Sequence, residues 1–190
     1  MNKPSLNLKP IRDIWLISDP HLNHSNILRF TKKDGSKCRP FHTLSEMNER
    51  IIYEHNKVVK PQDKWYCLGD VFFGNRNEAD VLLSRMMGHK RLIVGNHDVI
   101  YGNYNSNPLT KHFEKIFLWR KWSGMALLLT HVPVHPSTLG EDRFSGEDFV
   151  NIHGHTHNNG SPKGPYKSVC VELTDYKPIH IEEVKDYKYV

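Results

Sequence analysis

The chain has 190 residues and 38% hydrophobic content, enough for one domain with a real core. No apolar run approaches the roughly 20 residues that span a bilayer. Met1 to Pro10 has lysines but no apolar stretch after them, so neither a membrane helix nor a secretory leader is expected. The net charge of +5 favours anionic ligands such as nucleotides or nucleic acid, although a merely soluble surface can carry as much. Three widely spaced cysteines, Cys38, Cys67 and Cys170, argue against a disulfide framework or a thiolate zinc site and for a reducing, cytoplasmic location.

Ile14 to Ser18 is an apolar run of strand length, stopped at Asp19-Pro20-His21 by the proline. Thr43 to Val59 reads as a helix. Thr43 and Glu46 have capping-box spacing, Leu44, Met47, Ile51, Ile52, His55 and Val58 share a face, and Pro61 closes the segment. Lys64 to Leu68 is a second buried strand, ending at Gly69-Asp70. Glu78 to Met87 is predicted helical, with Val81, Leu82, Arg85 and Met86 in register and Gly88 as its C-cap. Arg91 to Val94 is a third strand, ending at Gly95-Asn96-His97-Asp98, and Asn103 to Pro108 reads as a polar loop.

Ile116 to Trp119 and Ala126 to Thr130 are predicted strands, the second ending at His131. Phe149 to His153 is a strand ending at Gly154-His155-Thr156-His157, and Ser168 to Leu173 is a late strand. Ile181 to Lys185 fits either a short helix or a strand. Trp15, Trp65, Trp119 and Trp122 lie in or beside strand runs and are expected in the core. No repeat or long linker interrupts the chain, so residues 1–190 read as a single α/β domain with mixed sheets.

Five polar motifs each follow an apolar strand run: Asp19-x-His21, Gly69-Asp70, Gly95-Asn96-His97-Asp98, His131 and Gly154-His155-x-His157. Each alone is a weak signal, with His155-x-His157 the strongest because imidazole is a common metal ligand. Together they can converge, because the loops at the carboxyl ends of strands in α/β folds share one edge. They offer Asp, His, Asp, Asn, His, His and His, too many donors for one ion and enough for two ions sharing a carboxylate. Nitrogen and oxygen donors without thiolate favour manganese, iron, zinc, cobalt or nickel over calcium or magnesium.

In this order the motifs resemble those of the calcineurin-like metallophosphoesterase superfamily, over Asp19 to His157. The stretches His24-x-Asn26-Ile27, Arg39-Pro40-Phe41, Met47-Asn48 and His131-x-Pro133 resemble a small phage and bacterial branch of it. The resemblance implies a four-layer α-β-β-α sandwich with two mixed sheets. It implies that Asp19, His21 and His157 hold one divalent transition-metal ion, with manganese expected first. Asn96, His131 and His155 would hold a second, and Asp70 would bridge the two. His97 would face the substrate, with Asp98 orienting it. The implied activity is hydrolysis of phosphodiester bonds in a nucleotide or related small substrate by a metal-bridging hydroxide. A phosphomonoesterase, or a nuclease or RNA end-processing enzyme using the same site, is the alternative. The chain departs from Ser/Thr protein phosphatases: Gly69-Asp70-Val71-Phe72-Phe73-Gly74 replaces their longer signature, and Asp98 stands in place of a Glu. Pro20 within the first motif is also unusual.

Further residues are candidates for substrate contact. His24 and Asn26 either cap the following segment or reach the substrate. Arg39, in a basic loop, can grip a phosphate bidentately. Asn75 and Arg76 can line the cleft, and His135 can support His131.

Overall fold

The computed structural model describes residues 12–99 and 108–185, so the expectations for Met1 to Pro10 and for positions 103–107 lie outside the described residues. In chain order the strands are β1 (Ile14–Ile17), β2 (Lys64–Cys67), β3 (His89–Ile93), β4 (Lys115–Phe117), β5 (Arg120–Trp122), β6 (Leu127–Leu129), β7 (Val150–His153), β8 (Tyr166–Ser168) and β9 (Ile179–His180). The helices are α1 (Leu44–Val58), α2 (Arg76–Ser84), α3 (Pro108–His112) and α4 (Ile181–Lys185). The first sheet has the order β4-β3-β2-β1-β9, with β1 to β4 parallel and β9 antiparallel. The second has the order β5-β6-β7-β8, with β6, β7 and β8 parallel and β5 antiparallel. The protein is therefore an α/β sandwich with two mixed sheets.

The central strands read as near-continuous apolar runs because both faces of the first sheet are covered. On β2 and its extension, Trp65 and Cys67 point to the helices, while Tyr66 and Leu68 point to the second sheet. The helical side is filled by Met47, Ile51 and Ile52 of α1, Leu83 of α2, Met86, and Leu109 and Phe113 at α3. The layer between the sheets holds Leu16, Tyr66, Leu68 and Ile93 against Leu127, Leu129, Val150 and Ile152, with Ile181 and Val184 of α4.

Thr43 caps α1 as expected, its Oγ1 accepting the Glu46 N–H at 3.1 Å. The Glu46 carboxylate takes the His42 N–H rather than that of Thr43. α2 differs from expectation. It starts earlier, because the Asn75 side chain caps it, and it ends at Ser84. Its buried residues are Ala79 and Leu83, while Val81 is 59% exposed.

Three other expectations are corrected. The outer face of the second sheet carries a small cluster of Leu139, Phe149 and Tyr166 with Leu128 and Val134. No α-helix covers it among the described residues; Val134 and Leu139, on either side of the short 3-10 turn Pro136–Thr138, pack there. His135, held extended by the proline after it, keeps a helix from starting before Pro136, and among the described residues a loop stands where the fourth layer was expected. Trp119 is 59% exposed, because β4 stops at Phe117 and the chain reverses into β5. The strand expected over Ser168 to Leu173 ends at Ser168 and becomes a 3-10 turn, Val171–Leu173. Between them the chain stitches the two sheets together: Ser18 N–H donates to Val169 at 2.9 Å, and Val171 N–H donates to Ser18 at 3.1 Å. Among the described residues, no helix is long and apolar enough to cross a membrane.

Candidate metal centre

Five parallel strands deliver the polar motifs to one place. β1, β2 and β3 of the first sheet lead to Asp19, Asp70 and Asn96, and β6 and β7 of the second lead to His131 and to His155 and His157. Two donor groups result. Asp19, His21 and His157 form one, and Asp70, His131 and His155 the other, with the ligating atoms of each within 4.8 Å of one another. The Asn96 amide oxygen lies 2.8 Å from His131 Nε2 and so belongs to the second group.

The loops carry strain that packing must overcome. Asp19, His21, Asp70, His155 and His157 all have φ between 47° and 67°. Asp and His tolerate this left-handed backbone better than most residues, but each such residue costs free energy and such residues cluster at functional sites. Two glycines permit the close approach of the loops without positive φ. A Cβ on Gly95 would collide with Asp70 Oδ1, and one on Gly154 with Ser18 Oγ and Asp19 Oδ2. Their role is therefore contact between loops, whereas Gly69, at φ 98°, makes a sharp turn.

Each carboxylate spends one oxygen on the scaffold and leaves the other facing the site. Asp19 Oδ2 accepts the His155 N–H at 2.8 Å and lies 2.6 Å from Ser18 Oγ. Its Oδ1 is buried without a hydrogen-bond partner, 3.7 Å from both His21 Nε2 and His157 Nε2. Asp70 Oδ1 accepts the His97 N–H at 2.9 Å. Asp70 Oδ2 lies 3.5 Å from His21 Nε2 and 3.4 Å from His131 Nε2.

The histidines are oriented in the same way. His131 Nδ1 donates to the Leu68 carbonyl at 2.7 Å, and His157 Nδ1 to Glu172 Oε1 at 2.9 Å, which turns both Nε2 atoms inward. His21 Nε2 is buried and also lacks a hydrogen-bond partner. Orphaned buried acceptors facing one another need a proton or a cation between them. Burial opposes a proton on His131, but Asp70, Asp19 and the Leu68 carbonyl outweigh it and hold the imidazole at about 9. Burial likewise opposes charge on Asp19, yet His21, His131 and His157 keep its carboxyl well below the usual range. A cation would meet the same demand by displacing the histidine proton, so the residues present fit a metal.

His97 is half-exposed, with Nε2 4.0 Å from Asp70 Oδ2, beside Phe73 at 4.7 Å between ring centroids. Asp98 does not orient it. Its carboxylate accepts the backbone N–H groups of Asp70, Val71 and Gly95 at 2.8–3.0 Å and so locks the second and third motifs together. Burial pushes its carboxyl up to about 6.

Of the substrate candidates, His24 is at the site: its Nδ1 is 3.1 Å from His21 Nδ1, and its ring stacks on Phe73 at 3.9 Å. Asn26 is exposed on the 3-10 helix Ser25–Arg29. Arg39 is not a substrate grip. It is fully buried and donates to the carbonyls of Asp19 at 2.6 Å and Pro20 at 2.8 Å, and to Glu172 at 2.8 Å. Asn75 spends its side chain on the cap of α2, and Arg76 lines a small pocket beside His97 instead. His135 is exposed and caps the turn at Pro136 rather than supporting His131.

Glu172 escaped the sequence reading because it lies far from every motif, in a stretch that reads as strand. Phe73 was visible only as an apolar residue of a loop, although that loop is where a half-buried aromatic ring can flank a site.

Fold and site together define an α/β sandwich protein with a His/Asp cluster of metal-ligand geometry at its strand ends. The chain is 32% identical over 181 residues to the uncharacterized protein MJ1445 of Methanocaldococcus jannaschii, spanning 90% of this chain and 89% of that protein, and it belongs to the same family. It is also similar to the Gene 66 protein of Mycobacterium phage D29, at 26% identity over 89% of this chain and 86% of that protein. A crystal structure of AQ665, a protein of unknown function from Aquifex aeolicus, superposes with a TM-score of 0.66 at 26% identity, covering 92% of this chain and 98% of the other. No protein-family profile matches the chain.

Proposed function

We propose that this protein is a binuclear-metal-dependent phosphoester hydrolase of the calcineurin-like metallophosphoesterase type, acting on phosphodiesters of small substrates. The observation that carries the proposal is the position of Asp70 Oδ2. One carboxylate oxygen faces His21 Nε2 at 3.5 Å and His131 Nε2 at 3.4 Å, and so faces both donor groups at once. On this reading the two-sheet frame is that superfamily's fold with its outer helical layer thinned to a loop.

Asp19, His21 and His157 would hold one cation, and Asn96, His131 and His155 the other, with Asp70 common to both. Imidazole, carboxylate and amide donors without thiolate suit manganese, iron, zinc, cobalt or nickel. Such cations, when bound, supply positive charge for the phosphoryl oxygens and acidify water. The chain's own residues do the rest. His97, with its side chain 38% exposed and beside the donor groups, can pass a proton to the leaving oxygen. Phe73 restrains the imidazole from one side. Asp98 holds the loops of Asp70 and Gly95 in register, so it acts through the backbone and not through His97. The three thiols are free, which suits a reducing, cytoplasmic setting.

The experiment is hydrolysis of bis-p-nitrophenyl phosphate and p-nitrophenyl phosphate by protein reconstituted with manganese. The diester is expected to be cleaved at least as well as the monoester. A strong preference for the monoester would favour a phosphomonoesterase, and inertness toward both with metal bound would defeat the proposal.

A further inference from the structure

The chemistry above leaves unexplained a groove that starts at the second donor group. Asn96 and His131 line one part of a cavity of about 730 Å³. Away from them its walls are apolar: Val99, Leu118, Trp119, Val132, Val134 and Leu139. Several of these large side chains are open to solvent, with Leu118 78% exposed and Trp119 59%. The fold makes this unavoidable. The reversal between β4 and β5 puts Leu118 and Trp119 at the rim, and the loop that replaces a helical layer leaves the outer face of the second sheet thinly covered. A concave apolar surface of this size, joined to convergent polar groups, is the usual form of a small-molecule site, for which volumes run about 300–1,000 Å³.

Few polar side chains line the groove, and its two threonine hydroxyls donate within the fold. Thr130 Oγ1 donates to the Val132 carbonyl at 2.6 Å, and Thr138 Oγ1 to the His135 carbonyl at 2.7 Å. The Lys121 ammonium sits over the Phe149 ring, 4.0 Å from its centroid. Beyond the exposed Lys121 ammonium, a ligand with many hydrogen-bonding edges would find few donors there. The pocket lined by Phe73, Arg76 and His97 is far smaller, about 170 Å³. Two cavities of unequal size thus open at Asn96 and at its neighbour His97.

We infer that the substrate is a diester with unequal arms, its bulky apolar arm, an aryl ring or an alkyl chain, lying in the groove and its smaller leaving arm beside His97. The inference rests on the phosphoesterase reading and narrows it. Continuity carries it: Asn96 and His131 belong both to the donor group and to the groove wall, so a phosphate at the donors points one substituent along the apolar surface.

The test uses the manganese-loaded full chain and a series of p-nitrophenyl diesters whose second arm is methyl, octyl, 2-naphthylmethyl or thymidine. The leaving group stays constant. Octyl or naphthylmethyl should raise kcat/KM at least tenfold over methyl. The larger gain of the two assigns chain or ring. The exposed-residue variants Leu118→Ser and Trp119→Ser should cancel that gain. In calorimetry, octyl phosphonate should bind at least tenfold tighter than methyl phosphonate to the wild type but not to the variants. Equal rates for methyl and bulky arms, or the largest gain with thymidine, would overturn the inference while leaving the hydrolase reading intact. So would a wild-type dimer that Trp119→Ser converts to a monomer, since a second copy would then occupy the groove. Failure to cleave even the methyl ester with metal bound would sink both.

Discussion

Glu172 Oε1 accepts the Nδ1–H of His157 at 2.9 Å, and the same oxygen is held by buried Arg39 at 2.8 Å. Arg39 also grips the carbonyls of Asp19 and Pro20, so one buried ion pair fixes both ends of the first donor group. Burial pushes the Glu172 carboxyl up, but Arg39 and His157 outweigh it and hold it below its usual range. A carboxylate behind a metal-facing histidine sets the tautomer and ring direction, and losing such a partner typically costs about 10–100-fold in metal affinity.

Glu172→Gln should therefore weaken manganese binding at one of two sites by about that factor, with the second site unchanged. A two-site calorimetric titration measures this. The variant should also melt earlier, because it leaves the Arg39 charge buried without its counter-ion. Unchanged affinity at both sites would mean that the pair serves only to hold the fold.

Asp70→Ala and His97→Ala should fail in different ways. Asp70 faces both donor groups, so its loss should empty the centre, as elemental analysis of protein dialysed against manganese would reveal. His97 touches the site only at its open side. His97→Ala should keep both metals and lower kcat by about 10²–10⁴-fold, the usual worth of general acid help. Undiminished turnover in His97→Ala contradicts its assigned role.

His55 gives the protein an acid-sensitive core independent of the candidate metal centre. Its ring is fully buried in α1, edge-on to Trp65, with Nε2 donating to the Met87 carbonyl at 2.9 Å and Nδ1 lacking a hydrogen-bond partner. Burial, helped by the Lys90 charge, lowers its pKa from 6.5 to about 4. Above pH 6.5 the ring is neutral whether folded or unfolded, and its contribution is complete. Between 6.5 and 4 only the unfolded chain takes the proton, so stability falls as pH falls. The loss at pH 4.5 relative to 7.5 is on the order of 2–3 kcal/mol, from about 1.4 kcal/mol per pH step. Urea denaturation of metal-free protein at the two pH values should show this difference, and His55→Leu should shrink it. An equal acid loss in both proteins would show that other groups control it.

The residues of the centre were legible in the sequence because their signal is local: a polar pair or quartet at the end of an apolar run marks a strand end, whatever the strand later packs against. The same locality explains the positions of β1, β2, β3, β6 and β7, the Thr43 cap and the α/β class, whereas β5, β8 and β9 were not marked by it. What the sequence could not determine is which side chains face each other across the loops. Arg39 reads as a candidate phosphate grip in a basic loop and is instead buried, because three acceptors from distant segments surround it. Asp98 reads as the partner of its neighbour His97 and serves the Asp70 loop instead, because the tight approach allowed by Gly95 puts three backbone N–H groups in its reach. Glu172 and the apolar groove are products of packing alone. Hydrogen-bond partners and cavities form between segments separated by tens of residues, and nothing in local spacing encodes which segments will meet.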